Sequence, residues 1–281
     1  MNGKTATMEG KNGGNHAVDP SADPSADPSA TPNAGVRSIL GVDVSVLTRD
    51  QAVDRVRRAL SGLGTTHFAF LNAHGANTAC DRPDYRDVLS RFCVLSDGIG
   101  VDIGSKLLYG SPFPDNLNGT DFVPHMLASL EGPLTVGLLG AEAGIAERAA
   151  RAFAHNAPQH SYRVIGDGYF DERRELQALM ALEDDPVDIL LVALGNPAQE
   201  FWIAQNCNNG RAKTAFGVGA LFDFMAGHVE RAPAFFIRMR CEWVYRLWLE
   251  PGRMWRRYVV GNPLFLMRIL RQRLTGWPNR G

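Results

Sequence analysis

Asp97 follows a short apolar run, Phe92 to Leu95, in the segment Leu95-Ser96-Asp97-Gly98-Ile99-Gly100. A carboxylate at the carboxyl end of a parallel strand lies where ligands bind in open α/β sheets. There it can act as a general base toward a hydroxyl, although aspartate in that position is also a common helix N-cap. A second segment reads Leu191-Val-Ala-Leu-Gly-Asn-Pro-Ala-Gln-Glu-Phe-Trp202. An apolar strand, Asp188 to Leu194, runs into the turn Gly195-Asn196-Pro197 and then a helix. Asn196 is expected to cap that helix and Pro197 to occupy its first turn. The free N–H groups of such a helix start make an anion site suited to a nucleotide or diphosphate. Gln199 and Glu200 are expected to point toward it.

Three further positions carry polar groups at strand ends. Asn72, in Phe70-Leu71-Asn72-Ala73-His74, can hold a ligand hydroxyl or cap the helix after it. Gly119-Thr120-Asp121 precedes another helix, with Thr120 or Asp121 as its expected cap. Gly217-Val218-Gly219-Ala220-Leu221-Phe222-Asp223 allows close backbone approach, and Asp223 can accept from a ribose diol or serve a loop. The segment Gly137-Leu138-Leu139-Gly140-Ala141-Glu142 is not Gly-x-Gly-x-x-Gly, and Glu142 at its helix start would repel a pyrophosphate, which argues against a dinucleotide cofactor. Asp-x-Asp occurs nowhere in the chain and the histidines are scattered, so a site without metal and without cofactor is expected.

The elements that must position these residues alternate. Strands are expected at His67–Leu71, Phe92–Leu95, Leu134–Leu139, Tyr162–Ile165, Asp188–Leu194 and Thr214–Val218, with helices between them, among them Asn77–Ser90, Gly144–His155, Asp171–Leu182 and Asp121–Leu130. Continuous apolar strands alternating with helices predict an α/β fold, a Rossmann-like sandwich on a parallel sheet. Residues 1–35, with three Asp-Pro-Ser-Ala tetrads, bury too little apolar surface to order themselves and are expected to be a disordered tail. The α/β core is expected over 36–230 and a helical appendage over 231–281.

The 281 residues are 45% hydrophobic and carry a net charge of −1, ordinary for a globular protein. That neutrality is uneven: from Arg231 onward there are eleven arginines, no lysine and two acids, Glu242 and Glu250. Tryptophans interleave with those arginines. Pro251 and Gly261-Asn262-Pro263 are expected to divide the tail into short helices. Such a tail suits a membrane interface; a helical subdomain packed on the core and a nucleic-acid-binding tail are the other two readings. No run reaches the roughly 20 apolar residues of a membrane span, no apolar leader is present, and Cys80, Cys93, Cys207 and Cys241 form no metal or disulfide pattern. A cytoplasmic protein is expected.

Together the segments Ser96–Gly100, Asn118–Phe122, Asp167–Phe170, Gly195–Glu200, Phe222–Gly227, Arg231–Pro233 and Glu242–Pro251 resemble, in order, the WecG/TagA/CpsF glycosyltransferases (glycosyltransferase family 26). The resemblance spans roughly Ser38 to Leu270. It implies an inverting, metal-independent transfer from a UDP-sugar to a sugar on a polyprenyl diphosphate, at the inner face of the cytoplasmic membrane, by a peripheral protein that can self-associate and does not bind nucleic acid. It implies Asp97 as base, Asn72, Asn116, Thr120 and Gln199 around the sugars, and Gly195, Asn196 and Asp223 near the nucleotide. An arginine of the tail (Arg231, Arg238 or Arg246) is implied at the leaving diphosphate, in place of a metal. Two departures border the sugar pocket: Phe70-Leu71 where many members have Thr-Pro, and Asn116 where many have arginine. The wording around them is similar to exopolysaccharide members of xanthan type, which makes UDP-glucose the expected donor, with N-acetylmannosamine or its uronate as the alternative. A Rossmann-like oxidoreductase and a silent membrane-recruiting module are the readings from other classes.

Overall fold

The computed structural model describes residues 35–168, 171–208, 210–229, 242–249 and 251–276. The tail expected over 1–35 lies, apart from Gly35, outside the described residues. Strands β1 (Val36–Ile39) and β2 (Val42–Ser45) form an antiparallel hairpin. The remaining strands are β3 (Thr66–Leu71), β4 (Cys93–Ser96), β5 (Thr135–Gly140), β6 (Ser161–Gly166), β7 (Val187–Ala193) and β8 (Ala212–Gly217). They form one parallel sheet in the order β4-β3-β8-β7-β5-β6. Helices α1 (Arg49–Ser61), α2 (Ala73–Asp81), α3 (Pro83–Leu89), α4 (Ile99–Tyr109), α5 (Gly119–Ser129), α6 (Ile145–Asn156), α7 (Glu172–Asp184), α8 (Ala198–Asn206) and α9 (Leu221–Met225) cover it. The fold is the expected Rossmann-like α/β sandwich. Strand β7 explains why the pattern was readable. Leu190 and Val192 enter one apolar layer and Ile189 and Leu191 the other, so the strand is apolar on both faces.

Two expected elements are different in the structure. The single helix over Asn77–Ser90 is two, because Pro83 has no N–H to continue α2 and instead starts α3. In the tail, α10 (Glu242–Leu249) is followed by α11 (Pro251–Trp255), a π turn at Arg256–Val260 and α12 (Gly261–Thr275); from Pro251 to Thr275 the three run on without interruption. Gly261-Asn262-Pro263 therefore does not break the helix. The wider π turn, which holds the carbonyl of Val259 four residues before Pro263, accommodates a ring that would otherwise crowd that carbonyl.

Helix α12 is seated on the body. Phe265 and Ile269 are buried in the core layer formed with β1, β2, α2 and α4. They fit because residue 104 is glycine: a Cβ there would stand 3.0 Å from Phe265 Cζ and 3.2 Å from Ile269 Cδ1. Polar contacts fix the helix along its length. Asn77 Nδ2 donates to the Gly261 carbonyl at 2.8 Å, Arg268 donates to the Asn77 carbonyl at 3.0 Å and pairs with Asp81. Gln272 accepts from Leu40 N at 2.9 Å and donates to the Ser38 carbonyl at 3.0 Å. The opposite side of α12 is an exposed stripe of Pro263, Met267, Leu270 and Leu274, flanked by Arg271 and Arg273. Trp248 and Trp255 are exposed in the helices before it. Among the described residues no helix is long and apolar enough to cross a membrane.

Candidate active site

The site gathers at the carboxyl ends of β3, β4, β7 and β8. Asn72, the residue after β3, caps α2 by accepting from Gly75 N at 3.0 Å. That bond fixes the amide plane, and its Nδ2 then donates to Asp97 Oδ2 at 3.2 Å. The cap reading of Asn72 is met, and the same side chain also faces Asp97. Asp97, after β4, is not the cap of the next helix: α4 begins from Gly98 without a side-chain cap. The Asp97 backbone is pinned by donating to the Leu71 carbonyl at 2.9 Å. Asn116 closes the same corner, its Oδ1 accepting from Gly98 N at 2.8 Å. Thr120 lies in the first turn of α5, but the cap of that helix is Asn118, which accepts from Asp121 N at 2.9 Å and from Thr120 Oγ1 at 2.6 Å. The expected cap at Thr120 or Asp121 is thus displaced to the residue before Gly119, because an asparagine there reaches the third N–H of the helix.

The turn after β7 meets this corner through Gly75. A Cβ at that position would lie 3.8 Å from Asn72 Oδ1 and 3.7 Å from Asn196 Nδ2. Asn196 does not cap α8, whose N-cap is Pro197, with no side-chain bond. Its amide turns inward and donates to the Tyr85 hydroxyl of α3. Gln199 and Glu200 do not point into the cleft either, being 4% and 0% exposed. Gln199 Nε2 donates to Glu200 Oε1 at 2.8 Å, and its Oε1 accepts from Gly219 N at 2.9 Å. It lies flat against the end of β8, where a Cβ at Gly217 would come within 2.8 Å of Gln199 Nε2. Asp223 sits on α9, directly after that turn. Gly195 precedes Asn196 at the end of β7.

Burial is the main electrostatic influence here. It pushes the Glu200 carboxyl up to about 7, while the hydrogen bond from Gln199 and the nearby polar groups of Asn196 and Tyr85 pull the other way. Burial, with the charge of Glu200, also raises the Tyr85 phenol, which stays protonated. His74, in the first turn of α2, is lowered by burial and by Arg257. Arg231 and Arg238 lie outside the described residues. Arg246 lies in α10, its side chain also outside them. Sequence reasoning missed Tyr85, which carries no signal of its own, and it misread the direction of Glu200. The neighbouring Trp202 and Ile203, both buried, were the available clue that this face of α8 turns inward.

A glycosyltransferase family model described as WecG/TagA/CpsF matches residues 37–279. Among similar proteins, one from Bacillus spizizenii is 34% identical over 195 residues, covering 69% of this chain and 74% of the relative. One from Bacillus subtilis is 31% identical over 204 residues, covering 72% and 78%. One from Staphylococcus aureus is 28% identical over 235 residues, covering 82% and 91%. All three are named N-acetylglucosaminyldiphosphoundecaprenol N-acetyl-beta-D-mannosaminyltransferase.

Proposed function

The chain belongs to the WecG/TagA/CpsF glycosyltransferase family, and from that premise we propose that it moves an N-acetylmannosaminyl group from its UDP donor to N-acetylglucosamine on a polyprenyl diphosphate. The relatives' names support this transferred group and this acceptor. They give no support to the glucose donor expected from Phe70–His74 and Asn116–Asp121.

One observation carries the chemistry: the capped Asn72 amide directed onto Asp97 at the carboxyl edge of the sheet. In the proposed reaction Asp97 removes the proton from the acceptor hydroxyl. The hydroxyl oxygen attacks the anomeric carbon on the face opposite the diphosphate, the bond to UDP breaks, and configuration inverts. Asn116 and Thr120 line the sugar side. The turn Gly195–Asn196 and Asp223 form the nucleotide side, with Gln199 behind them. One of Arg231, Arg238 and Arg246 meets the charge on departing UDP.

The tail adds the membrane side. The apolar stripe of α12 with its flanking arginines, and exposed Trp248 and Trp255, support attachment at a lipid interface, where the acceptor resides. The domain division at about residue 230 and self-association belong to the same proposal.

The test is UDP release by purified protein given a panel of UDP-sugars and a short-chain prenyl-diphosphate N-acetylglucosamine in detergent. Acceptor-dependent release from UDP-N-acetylmannosamine, lost in Asp97→Asn, is the expected result. Release from UDP-glucose instead would overturn the donor assignment. Release unchanged in Asp97→Asn would overturn the role of Asp97.

A further inference from the structure

Glu200 is fully buried in α8 and takes no part in the chemistry just described. An acidic side chain with no exposure is rare unless it is paired, and among the described residues no cation pairs with it. The elements around α8 supply no such cation. Tyr85 faces Glu200 from α3. Arg82, at the start of that helix, is bonded to Asp84 and lies over Phe201, Arg86 in its last turn acts on Cys80, and Glu175 of α7 accepts from Trp202 Nε1 at 2.9 Å. Asp188 of β7 and Lys213 of β8 pair with each other at 2.8 Å. His67 of β3 packs on Phe92. What Glu200 does hold is Gln199, whose other end holds Gly219 N. The carboxyl, the amide and the turn after β8 thus form one chain of contacts.

We propose that Glu200 is a positioning residue for the nucleotide end of the site: through Gln199 it fixes the Gly217–Gly219 turn from which Asp223 is delivered. This rests on reading that turn, Gly195 and Asp223 as the nucleotide side. The acid form is the working form. Glu200 Oε2 and Asn196 Oδ1 are both buried without a partner, and a proton on the carboxyl brings a donor into that cluster. Loss of the proton does the reverse. It leaves an uncompensated negative charge on the helix that begins at the Gly195–Pro197 turn, where a diphosphate is expected.

Two measurements test this, and they fail separately. The first needs no ligand: hydrogen exchange of the Gly217–Gly219 amides in Glu200→Ala and Glu200→Gln. Exchange should quicken about tenfold or more in the alanine variant and return toward the wild-type rate with glutamine, which still accepts from Gln199. Unchanged exchange in Glu200→Ala overturns the positioning role, whatever binds at the site. Should the alanine variant not fold, the glutamine variant carries the second measurement alone. That measurement is the affinity for a UDP-hexosamine, whose diphosphate does not titrate near neutrality, at about pH 6 and about pH 8.5. Wild-type affinity should fall about tenfold across that range, and Glu200→Gln should be flat. Parallel pH profiles in the two proteins overturn the proposal. Quickened exchange without UDP-hexosamine binding at either pH would instead overturn the nucleotide reading and leave the positioning of the turn standing.

Discussion

Asn72 performs two tasks with two atoms, and substitution can separate them. Its Oδ1 caps α2 at 3.0 Å and its Nδ2 reaches Asp97 at 3.2 Å. Serine caps helices about as well as asparagine, but its single hydroxyl cannot also extend to the carboxylate. In Asn72→Ser, stability should therefore stay within about 0.5 kcal/mol of wild type, whereas Asn72→Ala should lose about 1 kcal/mol with the cap. Both lose the bond to Asp97. A hydrogen bond to a charged group contributes about 1.5–3 kcal/mol, so kcat in either variant should fall about 10- to 150-fold. The assay is acceptor-dependent UDP release at saturating donor, paired with thermal melting. The decisive arm is the double variant with Asp97→Asn. If Asn72 acts by orienting Asp97, removing it from an enzyme that already lacks the carboxylate should cost no further activity, while the melting shift of the alanine variant persists. Activity losses that multiply in the double variant would refute the orienting role, and so would a wild-type kcat in Asn72→Ser.

Other consequences are as direct. Gly104→Val should push against Phe265 and Ile269 and destabilise the protein by about 1–3 kcal/mol; chymotryptic cleavage within 251–276 should accelerate, and a resistant, equally stable variant would contradict the seating of α12. The folded protein raises the Glu200 pKa from 4.5 to about 7, so the stabilising effect of this group is complete below about pH 4.5 and is lost as pH rises through about 7. By linkage, Glu200→Gln should gain on the wild type across that window, by up to about 3 kcal/mol, and denaturant melts showing a pH-independent difference would disprove this. Met267→Glu with Leu274→Glu, on the exposed stripe, should abolish co-sedimentation with anionic vesicles at unchanged melting temperature. Retained sedimentation would show that the stripe is not the attachment face.

The sequence disclosed most of the sheet because the strands are buried on both sides. Runs such as Asp188–Leu194 and Leu134–Leu139 allow few alternatives, and β7 and β5 fall within a residue of them. The hairpin of β1 and β2 escaped notice, since its four-residue strands alternate only briefly and gain their burial from α4 and α12, far away in sequence. The site was legible where a polar residue ends a strand, as Asn72 and Asp97 do. It was illegible where polar residues are interior. Placing Gln199 and Glu200 in the first turn of a helix at an anion site sent them to the wrong side of α8, and only tertiary contacts with Gly217, Gly219 and Tyr85 reverse it. Capping was misjudged for a related reason. Asn118, Thr120 and Asp121 are all competent caps, and backbone geometry rather than residue type decides among them.

The pair of hydrogen bonds that joins Gln272 to Ser38 and Leu40 has a consequence for how the protein is made. Helix α12 leaves the ribosome after every element it packs on, so the hairpin near the start of the fold waits for α12 to hold it. Until then the groove across Gly104, which later receives Phe265 and Ile269, stands open as an apolar surface on an otherwise assembled body. Chains interrupted before residue 265 would carry that surface permanently, and they are the species on which chaperones or aggregation should act.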